Sequence, residues 1–283
     1  MKLPYKPDFS GEVAVVTGGA GVLCSMFSRA LAECGAKVAI MDLADDKAQM
    51  VADEITAAGG EAMAVKINVL DKQSVEDARQ AVLASYGKCT MLINGAGGNS
   101  PKATSDDEFF DRDIFENPDK KSFFDIDPAG FDFVFGLNIK GTLLPTQAFA
   151  LDMAEARRGV ILNISSMNAL TPLTKIPAYS AAKAAVSNFT QWLAVYFAKT
   201  GIRVNAIAPG FFSTQQNAAL LWNADGTPTA RTGKILRNTP MERFGESEEL
   251  LGGMLFLLDS RASAFITGVV LPIDGGFSAY SGV

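Results

Sequence analysis

The chain has 283 residues, of which 48% are hydrophobic, and 31 acidic residues outnumber 25 basic ones to give a net charge of −6. This balance disfavours nucleic acid and anionic membranes as partners, because both attract a basic surface. No apolar run reaches the ~18 residues of a membrane span, and residues 1–11 lack the apolar centre of a secretion signal. We therefore expect a cytoplasmic protein.

The sequence contains no histidine, which excludes Ser-His-Asp and Cys-His catalysis and histidine-dependent zinc sites. Cys24, Cys34 and Cys89 are too few and too scattered for a disulfide framework or a paired metal site, so we expect small buried side chains and no metal. Any proton transfer must therefore use tyrosine, lysine, aspartate, glutamate or cysteine.

Short apolar runs alternate with longer amphipathic stretches, a pattern typical of a doubly wound parallel sheet. The predicted strands are Val13–Thr17, Lys37–Met41, Glu61–Ile67, Met91–Asn94, Gly159–Ile164, Arg203–Ala208 and Gly268–Pro272. The predicted helices are Leu23–Cys34, Asp45–Ala58, Lys72–Tyr86, Pro128–Ala156, Pro177–Thr200 and Ser247–Asp259. Because no repeat or linker interrupts this alternation, the sequence indicates one α/β domain over residues 1–283, with about seven strands and helices on both faces.

Two regions depart from the alternation. Residues 99–127 are too long and polar for an ordinary connection, which predicts an inserted loop that is either functional or disordered. Residues 211–243 follow a Pro-Gly turn and are predicted to form a lid on the substrate side. Both regions follow the carboxyl ends of predicted strands, where open α/β sheets bind ligands.

A glycine-rich turn, with Thr17, Gly18, Gly19 and Gly21, joins the first predicted strand to the first helix. Glycines let the backbone approach a pyrophosphate, and helix N–H groups stabilise its charge, although a simple tight turn could have the same sequence. Asp42 follows 24 residues after Gly18, at the end of the second strand. Its carboxylate could accept hydrogen bonds from ribose hydroxyls and repel a 2′-phosphate, which favours NAD over NADP. The alternative role of Asp42 is an N-cap.

Ser166, Tyr179 and Lys183 form a more specific pattern, within the stretch NISSMNALTPLTKIPAYSAAK. Tyr179 and Lys183 are four residues apart and therefore share one helix face. A phenol with a pKa of about 10 is a poor base at neutral pH, but a nearby ammonium can lower that pKa by about 1–3. Ser166 ends an apolar strand, where its hydroxyl could hold a substrate oxygen. These residues are candidates for proton transfer to a substrate oxygen.

With these motifs, residues 11–276 resemble the short-chain dehydrogenase/reductase family, whose Ser-x12-Tyr-x3-Lys spacing is matched without a gap. The resemblance implies a Rossmann-type fold and hydride transfer between NAD(H) and a secondary alcohol or ketone. It makes Tyr179 the general acid/base, while Lys183 tunes it and binds the nicotinamide ribose. Ser166 would orient the carbonyl, and Asn138, in LNIKGTL, would hold a water in the proton relay.

The resemblance also assigns a cofactor site. Its expected residues are Thr17, Gly18, Gly19, Gly21, Val22, Asp42, Asn68, Val69, Asn94, Gly95, Ala96, Tyr179, Lys183, Pro209, Gly210 and Thr214. Asn68 takes the usual place of an adenine-contacting aspartate, and Thr214 that of a hydroxyl that anchors the carboxamide. The glycine loop departs from the family pattern, because Val22 and Cys24 stand at its second and third glycines. Gly21 is expected to serve one position early.

Longer stretches, including residues 99–127 and the ending IDGGFSAYSGV, are similar to one branch of this family, the D-mannonate oxidoreductases, also called fructuronate reductases. This resemblance implies interconversion of D-mannonate and D-fructuronate. A hexonate needs hydrogen-bond partners and a cation for its carboxylate. The candidates are Asn99, Lys102, Asn168, Lys175, Gln215, Gln216 and Asn217. Lys175, which lies between Ser166 and Tyr179, is the candidate for the carboxylate; a solvated loop lysine is the alternative.

Other functions remain open. One is another short-chain sugar or polyol dehydrogenase, or a 3-oxoacyl-carrier-protein reductase, which normally uses NADPH and a basic docking patch. A non-catalytic NADH-sensing regulator is favoured only by the imperfect glycine loop. The family resemblance further implies a homotetramer, built through the helices predicted at 128–156 and 177–200 and the C-terminal segment. The apolar faces of those helices could equally be ordinary core.

Overall fold

The structure, a computed structural model, describes residues 3–117, 119–213 and 221–282. Seven parallel strands form one sheet in the order β3-β2-β1-β4-β5-β6-β7. They are β1 (Val13–Thr17), β2 (Lys37–Asp42), β3 (Glu61–Lys66), β4 (Met91–Asn94), β5 (Gly159–Ile164), β6 (Ile202–Pro209) and β7 (Val270–Ile273). The order reverses between β1 and β4, and connections diverging from such a point leave a crevice at the carboxyl ends of the strands.

Within the described residues, eight α-helices accompany the sheet. They are α1 (Val22–Glu33), α2 (Asp45–Ala57), α3 (Lys72–Tyr86), α4 (Pro128–Phe135), α5 (Gly141–Ala156), α6 (Pro177–Phe197), α7 (Ala230–Arg237) and α8 (Leu250–Leu258). Alternate strand residues enter two separate cores: Val16 packs with the α1, α2 and α8 side chains, and Val15 with those of α3, α5 and α6. The predicted doubly wound α/β fold, with helices on both faces, is confirmed.

Most predicted boundaries agree with the structure to within three residues, and two of the differences have local causes. β7 begins at Val270 instead of Gly268, because Gly268 has a φ of 81°, outside the extended region. The helix predicted from Ser247 begins as a short 3₁₀ turn and becomes α-helical only at Leu250. None of the described helices is long and apolar enough to cross a lipid bilayer.

The long helix predicted before β5 is interrupted by a π-helical turn, Gly136–Lys140, between α4 and α5. Asn138 Nδ2 donates to the Val134 carbonyl at 2.8 Å, and Thr142 Oγ1 donates to the Asn138 carbonyl at 2.8 Å. Side chains that bond these carbonyls compete with regular helical pairing. The turn also allows Asn138 Nδ2 to donate to the Gly98 carbonyl at 2.8 Å, which ties it to the loop after β4.

The described part of the 99–127 segment contains three 3₁₀ helices, Pro101–Ala103, Arg112–Phe115 and Phe123–Asp125. Polar contacts connect its parts: Lys120 pairs with both Asp107 and Asp113, each at 2.8 Å. Five phenylalanines project onto its surface: Phe109, Phe110, Phe115, Phe123 and Phe124. The described residues of this segment are therefore folded, with polar internal contacts, and a functional role for the segment stays a prediction.

Candidate active site

A cavity of about 680 Å³ lies at the carboxyl ends of the strands, beside the point where the strand order reverses. Many of the residues assigned to the cofactor from the sequence line it. They are Gly18, Gly21, Val22, Asp42, Asn68, Val69, Gly95, Ala96, Tyr179, Pro209 and Gly210. Cavities of this size hold ligands as large as a cofactor.

The glycine-rich turn forms one wall of the cavity. Gly18 has a φ of 64°, and a Cβ at this residue would lie 2.9 Å from the Ala96 Cα, so only glycine fits. α1 begins at Val22 with Gly21 as its N-cap, and no side chain caps it. The first N–H groups of α1 therefore remain available to an anion, as a pyrophosphate site requires.

Asp42, at the end of β2, has a fixed position on the cavity wall. Its Oδ2 accepts from the Ala20 N–H at 3.1 Å, and its Oδ1 accepts from the Ala44 N–H at 3.0 Å. The N-cap of α2 is Ala44, not Asp42. Because each carboxylate oxygen has a second lone pair, the side chain can still accept hydrogen bonds from the hydroxyls of a ligand.

Thr17 and Gly19 do not line the cavity, although both were assigned to the cofactor. Thr17 Oγ1 accepts from the N–H groups of Gly95 at 3.1 Å and Ala96 at 3.3 Å. The Gly19 N–H donates to the Met41 carbonyl at 3.0 Å. These hydrogen bonds connect the end of β1 to the loop after β4, and the turn after β1 to β2. Both residues therefore support the cavity wall without lining it.

Asn94, also assigned to the cofactor, is buried within the fold and outside the cavity lining. Its Nδ2 donates to Thr146 Oγ1 and to Asn163 Oδ1, both at 2.9 Å. The amide therefore joins β4 to β5 and α5. Asn94 is the last residue of the buried strand β4, and its side-chain amide lies between β5 and α5.

Ser166 and Tyr179 line the same cavity, one just beyond β5 and the other in the first turn of α6. Ser166 lies close enough to the phenol of Tyr179 to lower its pKa. Lys183 lies one helical turn further along α6 and is buried, with its Nζ 5.6 Å from the centre of the Tyr179 ring. The Lys183 Nζ donates to the Ile164 carbonyl at 2.8 Å. The three predicted catalytic groups are thus brought together.

The electrostatics of this cluster differ from the expectation. Burial raises the pKa of the Tyr179 phenol above its usual value, and the nearby hydroxyl of Ser166 opposes that rise. Burial also lowers the pKa of Lys183 to about 8. Lowering of the phenol's pKa by Lys183 stays a prediction, since in this structure burial dominates and the Lys183 Nζ donates to the Ile164 carbonyl. Tyr179 therefore rests as the neutral phenol, which holds a proton that it can donate, rather than as phenolate.

Asn138 approaches Lys183 beside Gly97. A Cβ built on Gly97 would lie 2.7 Å from Asn138 Oδ1 and 3.1 Å from Lys183 Nζ. Both polar atoms therefore face the same side of this glycine, and only hydrogen at position 97 leaves room for them. Nothing in the sequence links Gly97 to Asn138 or Lys183.

The described substrate candidates are dispersed. Lys175 lines a second cavity of about 290 Å³, formed with the 105–126 segment, and does not line the cavity of Ser166 and Tyr179. Its φ of 71° places it in the left-handed region, and its carbonyl accepts from the Ser105 N–H at 3.0 Å. Outside the main cavity lining lie buried Asn168 and exposed Asn99 and Lys102. Thr214, Gln215, Gln216 and Asn217 lie outside the described residues.

Among the apolar side chains of the main cavity that were not predicted are Phe133, Leu137, Phe211 and Phe212. Phe133 and Leu137 are four residues apart, so helical periodicity could have predicted that they share one helix face. Phe211 and Phe212 directly follow the predicted Pro-Gly turn after β6. These side chains make the substrate end of the cavity partly apolar.

A family model described as short chain dehydrogenase matches residues 12–223. An uncharacterized oxidoreductase of Haemophilus influenzae (strain ATCC 51907 / DSM 11121 / KW20 / Rd) is 56% identical over 283 residues, which cover 100% of this chain and 99% of that protein. The uncharacterized oxidoreductase UxuB of Bacillus subtilis (strain 168) is 52% identical over 281 residues, covering 99% of this chain and 100% of that protein.

Similarity extends to a solved structure. A protein from Haemophilus influenza, provisionally described as a D-mannonate oxidoreductase and solved with bound NAD, superposes with a TM-score of 0.95. The two chains are 57% identical, and the match covers 98% of each.

Proposed function

The chain belongs to the short-chain dehydrogenase family, and we propose that it uses NAD(H) to interconvert D-mannonate and D-fructuronate. The observation that carries the proposal is the meeting of Ser166 and Tyr179 with Asp42 in one cavity, with Lys183 buried behind the phenol. One wall of this cavity suits a nucleotide and another can donate a proton. This arrangement suits hydride transfer to a carbonyl.

The residues present fit a dinucleotide. The close approach of Gly18 to Ala96 leaves a backbone cradle, and the uncapped start of α1 offers N–H groups to a pyrophosphate. Asp42 is placed to accept hydrogen bonds from the adenosine ribose, which supports NAD over NADP. NAD bound by the 57%-identical Haemophilus influenza protein supports the same choice. When bound, the cofactor supplies or accepts the hydride.

The side chains supply the accompanying proton. Tyr179 gives its phenolic proton to the alkoxide that forms as the ketone is reduced, and Ser166 holds the carbonyl oxygen within reach. Lys183 returns a proton toward Tyr179 and hydrogen-bonds the nicotinamide ribose. Asn138 completes the path from solvent by orienting a water beside Lys183. Oxidation follows the same steps in reverse.

A sugar acid is supported as substrate by the provisional description of the Haemophilus influenza protein. Lys175 remains the candidate for the carboxylate. Its backbone is held at Ser105, and the loop that carries it continues through Pro177 into the first turn of α6, where Tyr179 lies.

A spectrophotometric substrate panel tests the proposal. D-mannonate, other hexonates, neutral polyols and an acetoacetyl thioester are each assayed with both cofactors. We expect the highest kcat/KM for D-mannonate with NAD and for D-fructuronate with NADH. Preference for a neutral polyol or for the thioester with NADPH would replace the proposal with one of the other family activities, and no turnover on any alcohol would favour an NADH-sensing role.

Replacing the carboxylate of Asp42 should weaken NADH binding and reduce the preference for NADH over NADPH. Hydrogen bonds to a charged group contribute about 1.5–3 kcal/mol, so Asp42→Ala should raise the KM for NADH by about 10- to 100-fold. The KM for NADPH should change little or fall, because the repulsion of a 2′-phosphate is removed. Steady-state kinetics with both cofactors measure this.

Asp45→Ala is the matched control, because Asp45 is an exposed carboxylate in the first turn of α2 and lies outside the cavity lining. It should leave both KM values within about twofold, as surface substitutions generally have small effects. An Asp42→Ala enzyme that kept its NADH KM would remove Asp42 from the cofactor site.

The lowered pKa of Lys183, about 8, predicts an upper pH limit for ketone reduction. Below pH 8 the ammonium holds its proton, and Tyr179, whose pKa is raised by burial, also stays protonated. Above pH 8 Lys183 loses its proton. The kcat/KM for NADH, which reports ionisations of the free enzyme, should be flat up to about pH 7.5 and then fall about tenfold per pH unit.

Lys183→Arg assigns that limb, because a guanidinium stays charged above pH 12. If this variant retains measurable activity, its profile should remain flat past pH 9. A limb at the same pH in both enzymes would mean that another group titrates.

We further propose a homotetramer with an interface on α6. Trp192, Val195 and Tyr196 recur on one helix face with exposed fractions of 56%, 79% and 64%. The Trp192 and Tyr196 rings stack with centroids 4.9 Å apart, and Leu151 of α5 is also exposed. Apolar patches of this kind mark interaction surfaces.

A cytoplasmic location is proposed too, supported by three described cysteines that are all free thiols.

A further inference from the structure

Cys24 stands where the glycine loops of related dehydrogenases have their third glycine, a residue that allows close packing of helix against strand. In this chain its side chain is buried in α1 and lines the main cavity. A larger residue at such a position should push α1 away from the loop after β4. The loop remains close, however, since a Cβ on Gly18 would lie 2.9 Å from Ala96.

Gly95 explains how the thiol is accommodated. A Cβ built on Gly95 would overlap Cys24 Sγ, whereas it would be 3.6 Å from Cys24 Cβ, an ordinary contact. Thr17 holds Gly95 from the other side, because its Oγ1 accepts the Gly95 N–H at 3.1 Å. The sulfur therefore occupies the volume that a side chain at position 95 would fill.

We infer that Cys24 and Gly95 form a steric pair that sets the spacing between the glycine loop and the loop after β4, and thereby the shape of the dinucleotide groove. The sulfur on one element fills the space that the missing side chain leaves on the other, so Gly95 is the positioning residue for the cofactor, and Cys24 is the neighbour that requires it to be glycine. The functional part of this inference rests on the proposed use of NAD(H). The packing part rests on geometry alone.

A double-mutant cycle tests the pair, using Gly95→Ala, Cys24→Ala and the double variant. Gly95→Ala adds a methyl group against the sulfur and should raise the Kd for NADH by about tenfold or more and lower Tm, as overpacking does. Cys24→Ala only removes the sulfur and should change Kd by less than about threefold. In the double variant the new methyl no longer meets the sulfur, whereas its 2.7 Å approach to the Thr17 carbonyl oxygen remains. Kd and Tm should then return part of the way to the wild-type values.

Two controls separate this coupling from general damage. Gly252→Ala adds a methyl in α8 whose nearest neighbour is Pro4 Cγ at 3.8 Å, and Cys89→Ala removes a buried thiol outside the cavity lining. Neither should change the Kd for NADH by more than about twofold, because independent sites act additively.

Intrinsic fluorescence titration with NADH gives Kd, and thermal melting gives Tm. The inference is overturned if the double variant is as weak and as unstable as Gly95→Ala, if both fail to fold, or if Gly95→Ala matches the wild type in both measurements. Absence of NADH binding by the wild type would reject the proposed function instead, and the Tm cycle would still decide whether the two residues are coupled.

Discussion

Tyr179→Phe should lower kcat for ketone reduction by about 10²–10⁴-fold, the usual contribution of a positioned general acid. The change removes only the phenolic hydroxyl, and the ring stays in place beside Lys183. The Kd for NADH should therefore stay within about threefold of the wild-type value. Stopped-flow single turnover, combined with fluorescence titration, measures the two quantities separately.

Tyr86→Phe provides the control, since Tyr86 ends α3, is not among the cavity residues and packs beneath Lys37. It should retain wild-type kcat and Kd within about twofold. A Tyr179→Phe enzyme with more than a tenth of wild-type kcat would show that another group donates the proton. Loss of NADH binding together with kcat would instead place Tyr179 in cofactor positioning.

The fold was predictable because buried parallel strands need apolar side chains on both faces. Val15 and Val16, adjacent in β1, enter opposite cores, and the same alternation occurs in β2, β3, β4, β5 and β6. The carboxyl-end location of Ser166 and Asp42 followed from the same pattern. The π-helical turn could not be predicted, because it depends on where Asn138 and Thr142 find hydrogen-bond partners rather than on hydrophobic periodicity.

The site was predictable in its chemistry but not in every position. Four-residue spacing places Tyr179 and Lys183 on one helix face, and the structure places them together. Burial, which raises one pKa and lowers the other, depends on the whole fold and has no local sequence signal. Asn94 shows a second limit, because a strand-end amide can face a ligand or a neighbouring strand, and only the register decides.

Lys175 shows a third limit. Its place between Ser166 and Tyr179 in the sequence suggested a shared cavity, but the intervening loop turns through a residue with φ of 71° and joins the 105–126 segment. Sequence proximity therefore did not place Lys175 in the lining of the cavity of Ser166 and Tyr179. The same loop brings the inserted segment to the start of α6, so substrate recognition at this end depends on two parts of the chain that are distant in sequence.

Gly97→Ala should lower kcat by about 10- to 100-fold and raise the Kd for NADH by a smaller factor. Its new Cβ would lie 2.7 Å from Asn138 Oδ1 and 3.1 Å from Lys183 Nζ, so both groups must move. Displacements of this kind matter because a misplacement of ~1 Å can cost about 10² in rate. The backbone of Gly97 is not in the left-handed region, so alanine adds bulk without backbone strain.

Gly98→Ala is the matched comparison in the same loop. Its Cβ would meet only Leu137 Cδ2, at 3.8 Å, and alanine keeps the backbone carbonyl that accepts from Asn138 Nδ2. We expect less than a threefold loss of kcat. Because the new Cβ at position 97 would lie beside Lys183 Nζ, a proton-transfer defect should also shift the pH limb assigned to Lys183. Equal losses in the two variants, or a Gly97→Ala loss confined to NADH affinity, would place Gly97 in the cofactor wall and outside the proton path.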